Sequence, residues 1–366
     1  MSAAFKASRR SFLKGSAAAG GGLVIGFKLL FVNWQNLIMM GVGGGLLWLG
    51  IKKDCEPLLL VPIGFGCILV NIPMSDVMLK DGFIRTIYDA GVDTELFPLL
   101  IFIGIGAMTD FGPVLAQPYT FLLGAAGQFG IFLTLLLALY LGFPKLDAVS
   151  IGVIGACDGP TAIYVTSKYA PHLLGAVAVA AYSYMALVPV IQPPIMKVLT
   201  TEKEKKTAMK FTAKPVSKTT KLLFPLVITI VGGCIAPKGL PLLATIMLGN
   251  LMKESGVVAR LTGAAENEIA NVVTLFLGLS IGATMAGPAF IRAETLIILG
   301  LGFLAICLDT VCGVLLGKIM RVLSGGKINP LIGAAGISAF PMSARVVQKE
   351  GQKYNKKSYL LMHAMG

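Results

Sequence analysis

Apolar sequence long enough to cross a membrane many times is broken in two places by glycine, proline and small polar residues. The breaks are Gly152-Val153-Ile154-Gly155-Ala156-Cys157-Asp158-Gly159-Pro160-Thr161 and Asn329-Pro330-Leu331-Ile332-Gly333-Ala334-Ala335-Gly336-Ile337-Ser338. Lipid offers no hydrogen bonds to an interrupted backbone, so such breaks survive only where protein or a wetted cavity surrounds them. Paired broken helices in the two halves of a chain point to the ion or substrate site of a transporter.

The chain has 366 residues, of which 55% are hydrophobic and 13% charged, and its mean hydropathy is +0.81. Soluble domains carry about 25% charged residues. Apolar stretches recur near 35–51, 57–74, 96–108, 119–143, 148–165, 172–199, 222–236, 239–252, 269–286, 294–318 and 328–342. A span needs about 20 residues, so the shorter stretches are half-helices, hairpins or spans with polar ends. The expected fold is an all-α polytopic membrane protein with nine to eleven membrane elements and two broken or re-entrant helices. An inverted repeat is inferred from the two breaks alone, since no letter-by-letter repeat is evident.

The net charge of +13 does not imply nucleic acid. Its densest cluster, from Lys197 through Lys203, Lys205, Lys206, Lys210, Lys214 and Lys218 to Lys221, lies between two apolar spans and holds no aromatic series for stacking. Basic short loops mark the cytoplasmic side, which places 200–221 in the cytoplasm. The chain then divides into an N-terminal extension, 1–28, a first membrane half, 29–199, the basic loop, and a second membrane half, 222–366. The extension begins Ser8-Arg9-Arg10-Ser11-Phe12-Leu13-Lys14, a twin-arginine-like pattern whose simpler reading is a basic flank that orients the first helix. The polar connector 75–95 is expected to run along a membrane surface. The six cysteines have no CxxC spacing and read as small buried hydrophobes.

Asp158 is the principal candidate. A carboxylate inside a spanning segment costs at least about 2.5 kcal/mol and is a functional hypothesis by default. Gly159 and Pro160 free backbone oxygens beside it and Thr161 adds a hydroxyl, the ligand types a hard cation such as sodium takes. Asp158 is equally placed to cap a helix beginning at Pro160. The second break has no charge, but Asn329 and Ser338 offer oxygens, while Gly333 and Gly336 permit close backbone approach. One negative and one neutral segment suit a monovalent cation; the competing reading of the second is a small-residue packing face. Tyr184 could relay a proton or ligate an ion facing Asp158, or sit as a polar tip at an interface. Asp110 reads as a capping or interfacial carboxylate in preference to an ion ligand. His172 and His363 stand apart from any carboxylate or cysteine pattern. Ala208-Met209-Lys210 matches the core of a biotin-attachment site, but the loop lacks the length and alternation of a carrier domain.

Several motifs resemble the β subunit of the sodium-ion-translocating decarboxylases, the oxaloacetate, methylmalonyl-CoA, glutaconyl-CoA and malonate enzymes. They are Ile105-Gly106-Ala107-Met108-Thr109-Asp110-Phe111-Gly112-Pro113, Cys157-Asp158-Gly159-Pro160-Thr161-Ala162-Ile163, Ala180-Ala181-Tyr182-Ser183-Tyr184-Met185-Ala186-Leu187-Val188-Pro189, Gln192-Pro193-Pro194-Ile195-Met196, Asn329-Pro330-Leu331-Ile332-Gly333 and Leu361-Met362-His363-Ala364-Met365-Gly366. The resemblance runs from about residue 30 to the end. It implies a subunit that decarboxylates carboxybiotin while exporting sodium and consuming a proton, with carboxybiotin supplied by a separate carrier. The implied partners are a carboxyltransferase subunit, a biotin carrier protein and a small membrane-anchored accessory subunit, in a bacterial or archaeal cytoplasmic membrane, with a homo-oligomer expected. By similarity Asp158 binds sodium and couples it to the proton, Asn329, Gly333 and Ser338 form the facing site with Thr161 beside Asp158, and Tyr184 takes part. The family continues past His-Ala-Met-Gly into Pro-Asn and a last small-residue helix, whose asparagine belongs to the ion site. This sequence stops at Gly366 and so reads as truncated there. The rival class is a secondary sodium or proton antiporter without decarboxylase activity.

Overall fold

The computed structural model describes residues 33–53, 57–118, 121–209, 216–356 and 358–365. The extension 1–28, Cys55 and Lys210 lie outside them. Among the described residues there is no strand. The helices used below are α1 (Trp34–Lys53), α2 (Pro57–Asn71), α3 (Leu96–Met108), α4 (Phe121–Tyr140), α5 (Lys145–Gly152), α6 (Gly159–Tyr169), α7 (Leu174–Leu199), α8 (Lys218–Ile235), α9 (Leu240–Ser255), α10 (Ala270–Ala283), α11 (Ala293–Leu323) and α12 (Phe340–Tyr354).

Among the described residues α4, α8 and α11 are long and apolar enough to cross a membrane, and the number rises to five if each of two bent pairs counts as one span. One bend, of 61°, joins Phe83–Asp93 to α3 at Glu95, which adopts a positive φ of 62°. The other, of 62°, divides α7 between Met185 and Leu187. Pro189 has no N–H to give the carbonyl four residues earlier, which is how proline bends a helix. Side chains such as Phe129, Phe132, Leu136, Leu226, Val227 and Ile230 are exposed and apolar, as a lipid-facing surface requires.

Helices of the first half pack on helices of the second. α2 lies on α10 and α3 on α9. A Cβ on Gly66 would run into the Leu279 carbonyl, and one on Gly282 into that of Ile63. These backbones approach as closely as small-residue crossings allow. α11 is the central element, packed against α7, α4 and the second break. The described start of the basic loop, 200–209, folds onto the same end of α11 that leads into the second break. Thr201 and Glu204 form a capping box, Lys205 Nζ donates to the Lys197 carbonyl at 3.1 Å and lies 4.9 Å from the Tyr354 ring centre, and Arg321 bonds Thr207.

Candidate functional site

Both breaks are irregular backbone enclosed by helices. In the first, α5 tightens into a 3-10 turn, Val153–Ala156, and Cys157 takes a left-handed conformation at φ 52°. Asp158 is then extended at φ −130° and opens α6, its carbonyl accepting the Ala162 N–H at 3.0 Å. Pro160 fits because the first turn of a helix has no use for its N–H. The half-buried Asp158 carboxylate accepts the Thr161 hydroxyl and makes no capping bond to its own helix. Gly159 is held against the Tyr182 ring, where a Cβ would collide. The chain is fixed on both sides of Asp158, while its carboxylate is bonded within the segment to Thr161.

The second break is a 3-10 turn, Pro330–Ala335. Asn329 is fully buried; its Oδ1 accepts the Leu331 N–H at 3.1 Å, and its Nδ2 donates to the carbonyls of Lys205 at 3.1 Å and Thr207 at 2.8 Å. Its amide therefore fastens the break to the basic loop. Gly333 crosses Gly313 of α11, each occupying the space a Cβ of the other would need. Further on, the Ser338 N–H donates to the Ala156 carbonyl at 3.1 Å. That bond joins the two breaks directly, two residues ahead of Asp158.

Ser338 is exposed and lines a cavity of about 520 Å³ together with Thr109, Asp110, Gln128, Gly336 and His363. Asp110 accepts the Gly112 N–H at 2.8 Å and pairs with Lys221 at 3.4 Å. Burial alone would raise its pKa, but the Gly112 amide and the Lys221 ammonium outweigh it and hold the carboxyl below its ordinary range. Lys221 also meets Glu254 at 3.6 Å, so opposite charges cluster beside this end of the cavity.

The candidates are thus only partly assembled in space. Asp158, Thr161 and the Ser338 backbone come together around the junction. Asn329 faces the basic loop, and Gly333 faces α11. Tyr184 bonds the Leu299 carbonyl at 2.6 Å and packs edge-on to Phe303 with ring centres 6.2 Å apart. His172 is a correction: isolated in sequence, its Nε2 lies 3.2 Å from Asp147 Oδ2, and Glu294 completes a group whose ligand atoms lie within 4.8 Å. The helices α5 and α11 and a 3-10 turn bring together residues that no local spacing connects.

Two features escaped the sequence reading. Buried Gln192 donates to the Ala334 carbonyl at 2.7 Å and accepts the Ser343 hydroxyl at 2.6 Å, while that hydroxyl also lies 2.8 Å from the Ala334 carbonyl. This network ties α7 and α12 to the second break, and its available signal was a glutamine beside two prolines in an apolar helix. Asp309, midway along α11, is 1% exposed. The rule that flagged Asp158 applies to it as well.

Comparison with known proteins finds relatives along most of the chain. A family described as "Na+-transporting oxaloacetate decarboxylase beta subunit" matches residues 35–366. The methylmalonyl-CoA decarboxylase subunit beta of Veillonella parvula is 51% identical over 331 residues, 90% of this chain and 88% of that protein. The glutaconyl-CoA decarboxylase subunit beta of Acidaminococcus fermentans is 51% identical, over 91% of this chain and 88% of that protein. The oxaloacetate decarboxylase beta chain of Klebsiella pneumoniae is 45% identical, over 94% and 93%. A chain whose described residues form helices with apolar spans and an ionisable break, and which has these relatives, belongs to the family of β subunits of sodium-transporting decarboxylases.

Proposed function

We propose that this chain is the membrane subunit that decarboxylates carboxybiotin and moves sodium outward, with Asp158 as the sodium-binding and coupling residue. The observation that carries the reading is the Ala156–Ser338 junction, which sets a carboxylate and two hydroxyl-bearing residues beside enclosed, irregular backbone. Thr161 and Ser338 supply neutral oxygens to an ion held by Asp158. Asn329 and Gly333 hold the second break in place through the basic loop and α11, and Tyr184 fixes α7 against α11 through the Leu299 carbonyl.

In the reaction the bond between the biotin ring nitrogen and the carboxylate carbon breaks, carbon dioxide leaves, and the electron pair remaining on nitrogen takes up one proton. A sodium ion at Asp158 neutralises its charge, and its passage there is coupled to the uptake of the proton that decarboxylation consumes. The cavity between Asp110 and Ser338 supports an approach from the basic-loop end, which this reading places in the cytoplasm. The carboxybiotin arrives on a biotin carrier protein loaded by a carboxyltransferase subunit, and a small membrane-anchored subunit completes the complex, as in sodium-pumping decarboxylases. The two membrane halves, 29–199 and 222–366, contribute one break each, and the chain is proposed to form a homo-oligomer in the cytoplasmic membrane.

The test is decarboxylation of free carboxybiotin by the complex assembled with this chain, with sodium titrated against potassium. Sodium-specific stimulation is expected. Equal stimulation by both ions, or none, contradicts the reading.

A further inference from the structure

The carboxylate of Asp309 is the most isolated charge-bearing group in the described structure. It lies midway along the 31-residue helix α11, is 1% exposed, and neither oxygen has a hydrogen-bond partner of ordinary geometry. Its two oxygens face two different elements. Oδ1 lies against Gly130 of α4, and Oδ2 lies where a Cβ on Gly155, in the first break, would stand 2.9 Å away. Both neighbours are glycine, so the room beside the carboxyl is set by the absence of side chains.

The surroundings distinguish a proton from a metal cation. Sodium needs several oxygen ligands, whereas the nearest backbone polar groups are the N–H groups of Gly130 and Ile131, which repel a cation. Cys157 on the first break lies within electrostatic reach of both Asp309 and Asp158, and Cys312 on α11 within reach of Asp309. α4 faces it with glycine, and α7 contributes only the neutral Gln192, 3.5 Å from the Thr310 hydroxyl. A buried carboxyl with no cation and no oxygen cage holds a proton.

We propose that Asp309 is a second ionisable station of the transport cycle, which carries a proton when the Asp158 site holds no sodium and gives it up when sodium binds. The exchange is balanced: the O–H bond of the carboxylic acid breaks, the pair stays on the carboxylate, the proton goes to the biotin ring nitrogen that decarboxylation leaves with an electron pair, and one positive charge enters at Asp158 as one leaves Asp309. The coupling is electrostatic, acting across the short 3-10 turn between Gly155 and Asp158, where the low dielectric keeps it strong. This inference rests on the sodium reading of Asp158.

Infrared difference spectroscopy of the assembled complex in lipid, sodium against potassium, tests it without relying on turnover. Sodium should remove a protonated-carboxyl band in the wild type. Asp309→Asn should abolish that band, while Asp158→Asn should keep it and make it insensitive to sodium. Sodium half-saturation in the wild type should rise as pH falls, by at most about tenfold per pH unit for one competing proton, and should flatten in Asp309→Asn. A band that persists in Asp309→Asn, or is absent from the wild type, overturns the proposal, as does an Asp309→Asn protein with the wild-type pH profile, since asparagine can cap the same amides. If the band disappears in Asp309→Asn but Asp158→Asn still responds to sodium, Asp309 stands as the proton site and the assignment of sodium to Asp158 fails. Asp309→Glu, which keeps a carboxyl and shifts its band, serves where the asparagine variant does not assemble.

Discussion

The two breaks use opposite means to survive in the membrane. In the first, the polar side chain is a carboxylate bonded within its own segment only to Thr161, and the backbone is bent through a left-handed Cys157. In the second, Asn329 uses its oxygen and its amide on backbone groups, and Gln192 and Ser343 converge on the Ala334 carbonyl. Ser338 brings a hydroxyl from this scaffold to the cavity, beside Gly336. A saturated network holds its shape when an ion arrives or leaves, whereas an under-bonded carboxylate changes its energy most when it gains a cation. The second break is therefore the frame and the first the moving charge.

This contrast predicts effects of different kinds. Asp158→Asn removes the charge but keeps the shape, so sodium-stimulated decarboxylation should fall by at least about 1000-fold, or about 4 kcal/mol, with thermal stability unchanged or higher. Normal turnover in that variant would reverse the roles of the two breaks. Asn329→Ala should act on the frame, costing about 3 kcal/mol of stability through three lost hydrogen bonds while the sodium response of the surviving protein stays as it was; denaturation followed alongside sodium titration separates the two. Ser338→Ala should raise the sodium concentration needed about fivefold, the loss of one ligand-sized interaction of about 1 kcal/mol, and an unchanged requirement would return the whole second break to packing. The smallest effect belongs to Glu204. Burial opposes its charge, but its bonds from the Thr201 amide and hydroxyl, with the cations Lys318 and Arg321, prevail and hold its pKa below the ordinary carboxylate range. Its contribution is then present at neutral pH and is lost as pH falls through that lowered value. Glu204→Gln should cost under about 1 kcal/mol at neutral pH, and its melting point should converge with the wild type below about pH 4.

Much of this was legible because glycine, proline and hydropathy act locally. The stretch read at 96–108 is α3, Leu96–Met108, and the one at 172–199 holds α7, Leu174–Leu199. The breaks announced themselves through composition, and Asp158 through its cost. What sequence could not supply was which polar atoms meet. Asn329 reads as a candidate ion ligand from its amide oxygen, but that its amide nitrogen meets loop carbonyls more than 120 positions away is visible only in the fold. His172 appeared alone because Asp147 and Glu294 reach it from other elements. Asp309 was visible as a lone carboxylate among apolar residues, but it lacks the flanking glycine and proline that drew attention to Asp158.

The most direct measurement is sodium binding to the assembled complex, followed as sodium-specific thermal stabilisation against potassium, in the wild type, Asp158→Asn and Ser338→Ala. The account predicts saturable stabilisation by sodium in the wild type, none in Asp158→Asn, and a curve shifted about fivefold in Ser338→Ala. Stabilisation that persists in Asp158→Asn, or a Ser338→Ala curve that overlays the wild type, would contradict a single ion held where the two breaks meet.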